Sequence, residues 1–341
     1  MDETSLAIRR SARAATSLLT GAALLFLWSR RARPTAWRNR VAIVTGGARG
    51  LGFALARELT QAGATVWLVS RTPDQLARAV RRLREAGGEA HAYQADVTRP
   101  AEVEALIAAV IARHGRLDVV VNNAGVITAM PFENATIADF EEALATHFWG
   151  PLHMTRAALP WLRQAGPGHV INISSIGGRV GVPHLAPYCA GKFALTGLSQ
   201  VLRAELAASG VQVTLAAPGL IRTGSVRRVR VRGQHEAEAR WFAALSATSL
   251  TAKNATATAR EILDAARHGR ASVTPGWQAQ ALVAANVTAP NVTAATMATV
   301  TEHLLPAPVA GPSPARTVDS LDLGWARGLV SESTAAAYNQ L

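Results

Sequence analysis

Short apolar runs alternate with helix-length segments through most of this chain, and no other feature constrains the fold as much. β-Prone runs predict strands at 41–45, 65–69, 90–95, 117–121, 169–173, 211–216 and 271–274. The segments between them are long enough for helices, so each connection is expected to be a right-handed crossover between parallel strands. We therefore expect an α/β fold with a doubly wound parallel sheet and helices on both faces.

The chain divides into three predicted parts. With 341 residues and 49% apolar content it can bury a full core. We assign residues 1–37 to an N-terminal hydrophobic helical segment, 38–275 to the α/β domain and 276–341 to a C-terminal helical extension.

The predicted extension contains two apolar helices, at 279–287 and 294–305. Pro290 is expected to break the chain between them, because proline lacks the N–H group that a helix interior uses. A proline-rich stretch at 306–314 then precedes a polar tail.

Residues 14–28 are uncharged and have arginines on both sides. At about 1.5 Å per residue, a helix of this length falls short of the ~30 Å hydrocarbon core, so it spans a bilayer only if the flanking arginines snorkel. A membrane anchor, an interfacial helix and a core-packed or disordered leader all stay open. A cleaved signal peptide is disfavoured, because arginines and Pro34 follow. The arginine-rich carboxyl flank favours a cytoplasmic catalytic part, with or without attachment to the cytoplasmic face of a membrane.

The formal charge of +12 comes almost wholly from arginine, since the chain has lysine only at Lys192 and Lys253. The arginines are scattered and form no nucleic-acid-binding motif, so we expect no nucleic-acid partner. The single cysteine, Cys189, excludes an internal disulfide. The histidines and acidic residues lack metal-ligand spacing, and we expect no metal site.

A glycine-rich turn follows the first predicted strand and opens a helix that reaches about residue 61. Glycines at 46, 50 and 52 allow a tight turn and the close approach of a pyrophosphate to the helix N-terminus. A turn in this strand-to-helix context predicts a dinucleotide site.

The second predicted strand leads into Ser70 and Arg71, where an acidic residue would hold the ribose hydroxyls of NAD. Arg71, with Arg49 in the glycine-rich turn, instead suits a 2′-phosphate. We therefore favour NADP (NADPH) over NAD, with a pair of solvated arginines as the alternative.

Tyr188 and Lys192 stand four residues apart in a predicted helix, which places them one turn apart on the same face. A fixed cation favours a phenolate, so we expect Lys192 to lower the tyrosine pKa from its usual ~10 and make Tyr188 a proton donor. Ser175 follows the predicted strand at 169–173. On spacing alone, a solvated helix face is the alternative.

Six motifs occur together in a fixed order: T-G-x-x-x-G-x-G at 45–52, Asp96-Val97, N-N-A-G at 122–125, Ser175, Y-x-x-x-K at 188–192 and P-G-L-I-R-T at 218–223. In order and spacing the chain resembles the short-chain dehydrogenase/reductase family over residues 38–275. The resemblance implies a Rossmann-type sheet of seven strands and hydride transfer between a nicotinamide cofactor and an alcohol or carbonyl group.

The resemblance also implies residue roles. Tyr188 would be the acid/base, Ser175 would hydrogen-bond the substrate oxygen, and Lys192 would lower the tyrosine pKa and hold the nicotinamide ribose. The expected cofactor site consists of Gly46, Arg49, Gly50, Leu51, Gly52, Arg71, Asp96, Val97, Asn122, Ala124, Gly125, Tyr188, Lys192, Pro218, Gly219, Ile221 and Thr223.

One position departs from the family pattern: His147 stands where the family commonly has an asparagine credited with placing a water in a proton relay. The imidazole could hold that water, alter the relay or only pack. After Thr223, an arginine-rich segment at 224–233 is expected to be mobile, and helices are predicted at 234–245 and 255–267. The apolar residues of the first helix either line a lipophilic pocket or pack the lid, and packing is favoured.

Two functions remain open. The first is an NADP-dependent oxidoreductase that interconverts a secondary alcohol and a carbonyl group of a small, hydrophobic substrate at a Ser-Tyr-Lys site. The alternative is a cofactor-binding interaction protein at a membrane whose catalysis has lapsed. A homo-oligomer is compatible with either.

Overall fold

The computed structural model of the protein describes residues 34–247, 252–321 and 336–339. The predicted hydrophobic helix at 14–28 lies outside the described residues. The chain divides into two units, residues 1–35 and 36–341, and the elements named here belong to the second.

The described residues form twelve strands and ten α-helices. The strands are β1 Val41–Thr45, β2 Thr65–Ser70, β3 Ala90–Gln94, β4 Val119–Asn122, β5 Thr128–Ala129, β6 His169–Ile173, β7 Gln212–Ala216, β8 Leu220–Arg222, β9 Arg230–Val231, β10 Ala252–Asn254, β11 Ser272–Val273 and β12 Arg316–Thr317. The helices are α1 Gly50–Gln61, α2 Pro73–Glu85, α3 Pro100–His114, α4 Ile137–Leu144, α5 Gly150–Gln164, α6 Ala186–Glu205, α7 His235–Ala247, α8 Ala255–Arg267, α9 Trp277–Thr288 and α10 Pro290–Leu304.

Seven strands form one parallel sheet in the order β11-β7-β6-β4-β1-β2-β3. The chain moves outward from β1 to β3, then returns to the other side of β1 with β4. Ligands of such sheets bind where this direction reverses, outside the carboxyl ends of the strands. The predicted doubly wound parallel sheet is confirmed.

Both faces of the sheet are buried because side chains alternate along each strand. Ala42 and Val44 of β1 belong to an apolar cluster with Phe53 of α1 and Ile262 of α8. Ile43, between them, belongs to a second cluster on the opposite face that includes residues of α3 and α5. The central strands therefore lie between two layers of helices.

Local sequence explains where several helices begin and end. Helices α2 and α3 start with Pro73 and Pro100, whose fixed φ and missing N–H suit the first helical position. Helix α3 ends at Gly115, which has a φ of 65°. A π-helical turn, Ala145–Trp149, separates α4 from α5. Single π-helical turns often mark functional sites.

The arginine-rich segment 224–233, predicted to be mobile, is instead folded. A 3₁₀ turn, Ser225–Arg228, precedes β9, which lies between β5 and β12 in a small sheet. Val226, Val229 and Val231 are buried in a third apolar cluster. Apolar residues between the arginines therefore hold the segment on the domain.

The expected break at Pro290 is present. The first of the two helices ends at Thr288, and Pro290 begins α10, a position where proline is tolerated. The predicted helices on either side are present as α9 and α10. None of the helices in the described part of the chain has the length and apolarity needed to cross a bilayer.

Candidate active site

Ser175, Tyr188 and Lys192 converge at the carboxyl end of β6. Ser175 follows β6, and its Oγ accepts the N–H of Gly177 at 3.2 Å. Tyr188 and Lys192 lie in the first two turns of α6, and the Ser175 side chain is close enough to the Tyr188 phenol to lower its pKa. The Lys192 ammonium lies 5.7 Å from the centre of the Tyr188 ring. The structure thus brings the three predicted side chains together.

The pKa of Tyr188 shifts in the direction opposite to the one expected from the sequence. Burial raises it to about 12, although the hydrogen bond with Ser175 acts to lower it. Lys192 is not among the groups that lower the Tyr188 pKa; its Nζ donates to the carbonyl oxygen of Ile173 at 2.8 Å. Burial also lowers the pKa of Lys192 to about 7, which weakens its positive charge. The phenol therefore keeps its proton at neutral pH.

His147 lies in the π-helical turn and contacts Tyr188 edge to face, with ring centres 5.2 Å apart. Its Nε2 lies 2.8 Å from the carbonyl oxygen of Val126 and must carry the proton that this bond requires. Burial and the charge of Lys192 hold the His147 pKa well below its usual value, so the imidazole is neutral. Its Nδ1 is a buried acceptor without a hydrogen bond from any described residue.

Two neighbouring glycines make room for this ring. A Cβ atom on Gly125 would lie 3.0 Å from Cε1 of His147, and one on Gly191 would lie 3.0 Å from its Cβ. Both distances are tighter than ordinary van der Waals contacts. The position of the imidazole therefore depends on glycine at both sites.

The glycine-rich turn is shaped by two requirements. Gly46 and Gly50 have φ values of 62° and 57°, in the left-handed region that favours glycine. Gly52 has no room for a side chain, because a Cβ there would lie 2.2 Å from the carbonyl oxygen of Gly46. A side chain at position 52 would therefore displace the backbone of the turn.

Hydrogen bonds connect this turn to the segment that follows β4. Oγ1 of Thr45 accepts the N–H groups of Asn123 at 3.0 Å and Ala124 at 3.1 Å. Nδ2 of Asn123 donates to the carbonyl oxygens of Thr45 at 3.0 Å and Gly46 at 3.2 Å. The turn and the N-N-A-G segment are therefore held in one arrangement across the point where the strand order reverses.

A cleft opens at this point. Its walls are formed by Gly46, Ala48, Arg49, Val69, Ser70, Arg71, Thr72, Gln75, Ala95, Asp96, Val97, Ala124, Gly125, Val126, Thr146 and Arg228. Seven of the predicted cofactor residues are among them: Gly46, Arg49, Arg71, Asp96, Val97, Ala124 and Gly125.

Other predicted cofactor residues do not line the cleft. Asn122 is 3% exposed and donates through Nδ2 to Oδ1 of Asn172, so its side chain supports the centre of the sheet. Gly50, Leu51 and Gly52 belong to α1 behind the turn. The carbonyl of Pro218 accepts the N–H of Ile176, beside Ser175. After Pro218 come the other predicted residues of this motif. Gly219 precedes β8, Ile221 lies in it, and Thr223 directly follows it.

Three arginines meet in the cleft. The pKa of Arg49 is lowered by burial and by the positive charges of Arg228 and Arg71. Arg71 also lies near Asp96, with 3.6 Å between Nη1 of its guanidinium group and Oδ2 of the carboxylate. Burial acts to raise the pKa of Asp96, but hydrogen bonds from Thr98 and the charge of Arg71 lower it overall. An anion bound here would relieve the repulsion among the arginines.

Sequence reasoning missed Arg228, Gln75 and Thr146 as cleft residues. Arg228 belongs to a segment whose abundance of arginine was evident, but its place in the cleft depends on the pairing of β9 with β5 and β12. Gln75 and Thr146 belong to no recognised motif. In the described residues, no group of three or more histidine, cysteine, aspartate or glutamate side chains could hold a metal ion.

The parallel sheet, the glycine-lined cleft and the Ser-Tyr-Lys cluster define a dinucleotide-dependent oxidoreductase. The family model described as short chain dehydrogenase matches residues 40–232. The chain belongs to the short-chain dehydrogenase/reductase family, oxidoreductases that act on CH–OH groups with NAD or NADP.

Individual relatives agree with this assignment. A Streptomyces coelicolor protein named "Putative ketoacyl reductase" is 38% identical over 198 residues, which cover 56% of this chain and 74% of the relative. A solved short-chain dehydrogenase from Streptomyces avermitilis has a TM-score of 0.67 at 29% identity, covering 77% of this chain and 98% of that one. A variant of actinorhodin polyketide ketoreductase, solved with NADPH, has a TM-score of 0.62 at 30% identity, covering 70% and 95%.

Proposed function

We propose that the protein is an NADP-dependent oxidoreductase that reduces a ketone to a secondary alcohol, and performs the reverse reaction, at Ser175, Tyr188 and Lys192. The observation that carries this proposal is the convergence of the three side chains beside a cleft of dinucleotide type.

NADPH supplies the hydride when it is bound. As hydride reaches the carbonyl carbon, negative charge grows on the carbonyl oxygen. The Ser175 hydroxyl is proposed to donate a hydrogen bond to that oxygen, and the Tyr188 phenol is proposed to give it a proton. A phenol with a pKa of about 12 is protonated at neutral pH, so it carries the proton that the reduction needs. Lys192, close to Tyr188, is proposed to hold the ribose hydroxyls of the cofactor.

The three arginines of the cleft support NADP as the cofactor. Arg49 and Arg71 are the residues that the sequence associates with a 2′-phosphate, and Arg228 adds a third positive charge next to Arg49. A phosphate dianion is the group that this arrangement suits, because arginine matches its geometry and charge. The NADPH complex of the related actinorhodin ketoreductase variant agrees with the proposal.

The substrate is proposed to be a hydrophobic ketone. Tyr188 packs against the third apolar cluster, together with Ile127, Val182 and Trp241. The names of the ketoacyl reductase and polyketide ketoreductase relatives also support a keto group as the reacting function.

A deuterium-transfer experiment tests this proposal. The purified protein would be incubated with a panel of aliphatic and cyclic ketones and NADPH carrying deuterium at the transferable position. We expect a secondary alcohol with one deuterium on the carbinol carbon. NADPH binding without turnover of any ketone, or of any alcohol with NADP, would instead support the lapsed interaction protein.

Membrane attachment and the division into parts also remain proposals. We propose that residues 14–28 attach the protein to the cytoplasmic face of a membrane, and that 38–275 form the catalytic domain with 276–341 as its extension. Fractionation of the chain with and without residues 1–33 tests the attachment. Recovery of both forms in the soluble fraction would contradict it.

A further inference from the structure

A short segment near the end of the chain, residues 336–339, packs against the glycine-rich turn. The carbonyl of Tyr338 accepts the N–H of Gly50 at 2.8 Å. The side chain of Asn339 donates through Nδ2 to the carbonyl oxygens of Ala48 at 2.6 Å and Gln75 at 3.0 Å. Tyr338 and Asn339 are 5% and 4% exposed, so these contacts are shielded from water.

The carbonyl groups bound by Asn339 belong to two residues that line the cofactor cleft, Ala48 and Gln75. Ala48 lies in the glycine-rich turn and Gln75 in the first turn of α2. One side chain therefore connects two elements that form a wall of the cleft. Gly50 is the first residue of α1, where N–H groups lack acceptors within the helix, and Tyr338 supplies one.

Further contacts hold the segment in place. Arg82 of α2 donates to the carbonyl oxygens of Ala336 at 2.6 Å and Ala337 at 3.3 Å. The Tyr338 hydroxyl lies 3.0 Å from Oγ1 of Thr256 in α8, and its ring belongs to the apolar cluster that contains Phe53. Asn339 has a φ of 56°, a left-handed conformation that asparagine tolerates better than most residues.

We propose that residues 336–339 form a positioning segment of the cofactor site, and that Asn339 holds the glycine-rich turn and the start of α2 in the arrangement that binds NADPH. The proposal rests on the proposed cofactor-binding function. Asn339 acts through Ala48 and Gln75 rather than by touching the cofactor. Its loss should therefore weaken cofactor binding and leave the turnover number unchanged at saturating NADPH.

The test is Asn339→Gly in the full chain, because glycine tolerates the left-handed backbone and removes the side chain that donates to Ala48 and Gln75. We expect about tenfold weaker NADPH binding in a fluorescence titration, on the scale of one or two buried hydrogen bonds.

Asn134→Ala is the matched control. Asn134 is also buried, and it makes two hydrogen bonds with the backbone of Val309, at 2.9 Å and 3.1 Å. Neither residue lines the cofactor cleft. This variant should lower the midpoint of thermal unfolding but leave NADPH affinity unchanged.

Unchanged NADPH affinity in Asn339→Gly would overturn the proposal, and so would an equal loss in Asn134→Ala, which would indicate general destabilisation. A wild-type protein that fails to bind NADPH would instead refute the proposed function. If Asn339→Gly does not fold, hydrogen exchange of the wild type decides the matter. NADPH should then slow exchange at 336–339 as well as in the turn, and unchanged exchange at 336–339 would overturn the proposal.

Discussion

Reversing the charge at residue 71 should change the cofactor that the protein prefers. Arg71 follows β2 at the edge of the cleft, near Arg49 and Asp96. Arg71→Asp removes one positive charge from the proposed 2′-phosphate site and adds a negative one. We expect the variant to bind NADPH more weakly and NADH equally well or better, because an aspartate there can accept hydrogen bonds from the ribose hydroxyls.

The exposure of Arg71 limits the size of this effect. Its side chain is 63% exposed. Two unit charges 4 Å apart interact by about 1 kcal/mol in water and about 4 kcal/mol at a dielectric constant of 20, and the lower end applies to an exposed group. Loss of an attraction and gain of a repulsion then cost about 2 to 3 kcal/mol together, which weakens NADPH binding about thirtyfold to 140-fold.

Fluorescence titrations with NADPH and NADH, at low and at high salt, measure this change. The difference between wild type and Arg71→Asp should shrink at high salt, because exposed charges are screened. Arg240→Asp on α7 is a matched control, since the Arg240 side chain is 62% exposed and has an acidic neighbour, Glu236. An unchanged ratio of NADPH to NADH affinity in Arg71→Asp would refute the role given to this arginine.

Three further predictions concern the turn, the imidazole and the pH dependence of stability. Gly52→Ala should weaken NADPH binding more than about tenfold, because its Cβ would lie 2.2 Å from the carbonyl oxygen of Gly46 and displace the turn; wild-type affinity in a titration would contradict this. His147→Asn should keep activity, because the asparagine amide keeps a polar group near the position of the imidazole Nδ1; a large loss of kcat would show that the imidazole itself is used. Burial lowers the pKa of His169 in the folded protein from 6.5 to about 4. As the pH falls, the histidine therefore takes up a proton in the unfolded chain before it does so in the folded protein. The free energy of unfolding that this neutral histidine contributes is fully present above pH 6.5 and is lost as the pH falls towards 4. This loss amounts to about 3 kcal/mol. In denaturant titrations at several pH values, the free energy of unfolding should depend less on pH in His169→Gln than in the wild type. The same pH dependence in both proteins would count against His169 as its source.

The sequence predicts the central sheet well because its strands are buried on both faces. Runs such as 41–45 and 169–173 are continuously buried, and the structure places them as β1 and β6. The glycine-rich turn is also predictable, since only glycine suits its backbone and its close contacts. The four-residue spacing of Tyr188 and Lys192 correctly places them in adjacent turns of α6.

Other features depend on contacts between distant parts of the chain. The two-residue strands β5, β9 and β12 are too short for periodicity to reveal, and their pairing brings Arg228 to the cleft. The contact of residues 336–339 with the turn joins segments almost 300 residues apart, at separations of 291 and 264 for the bonds of Asn339. Local patterns carry no information about such pairings.

The pKa of Tyr188 shows a limit of another kind. The spacing places an ammonium near the phenol but does not reveal how deeply both groups are buried, or that Lys192 donates to Ile173. In the structure burial has the larger effect, and the phenol becomes a weaker acid rather than a stronger one. The phenol therefore carries its proton at neutral pH.

The most direct test of the account is to measure ketone reduction and NADPH affinity together in wild type and Tyr188→Phe. Removal of one hydroxyl takes away the proton donor and leaves the cofactor cleft intact, so turnover should fall by about 10²- to 10⁴-fold. The dissociation constant for NADPH should stay within about twofold of the wild-type value, because Tyr188 does not line the cofactor cleft. A twofold change corresponds to less than about 1 kcal/mol of binding free energy. Turnover retained by Tyr188→Phe would contradict the central claim that this phenol supplies the proton.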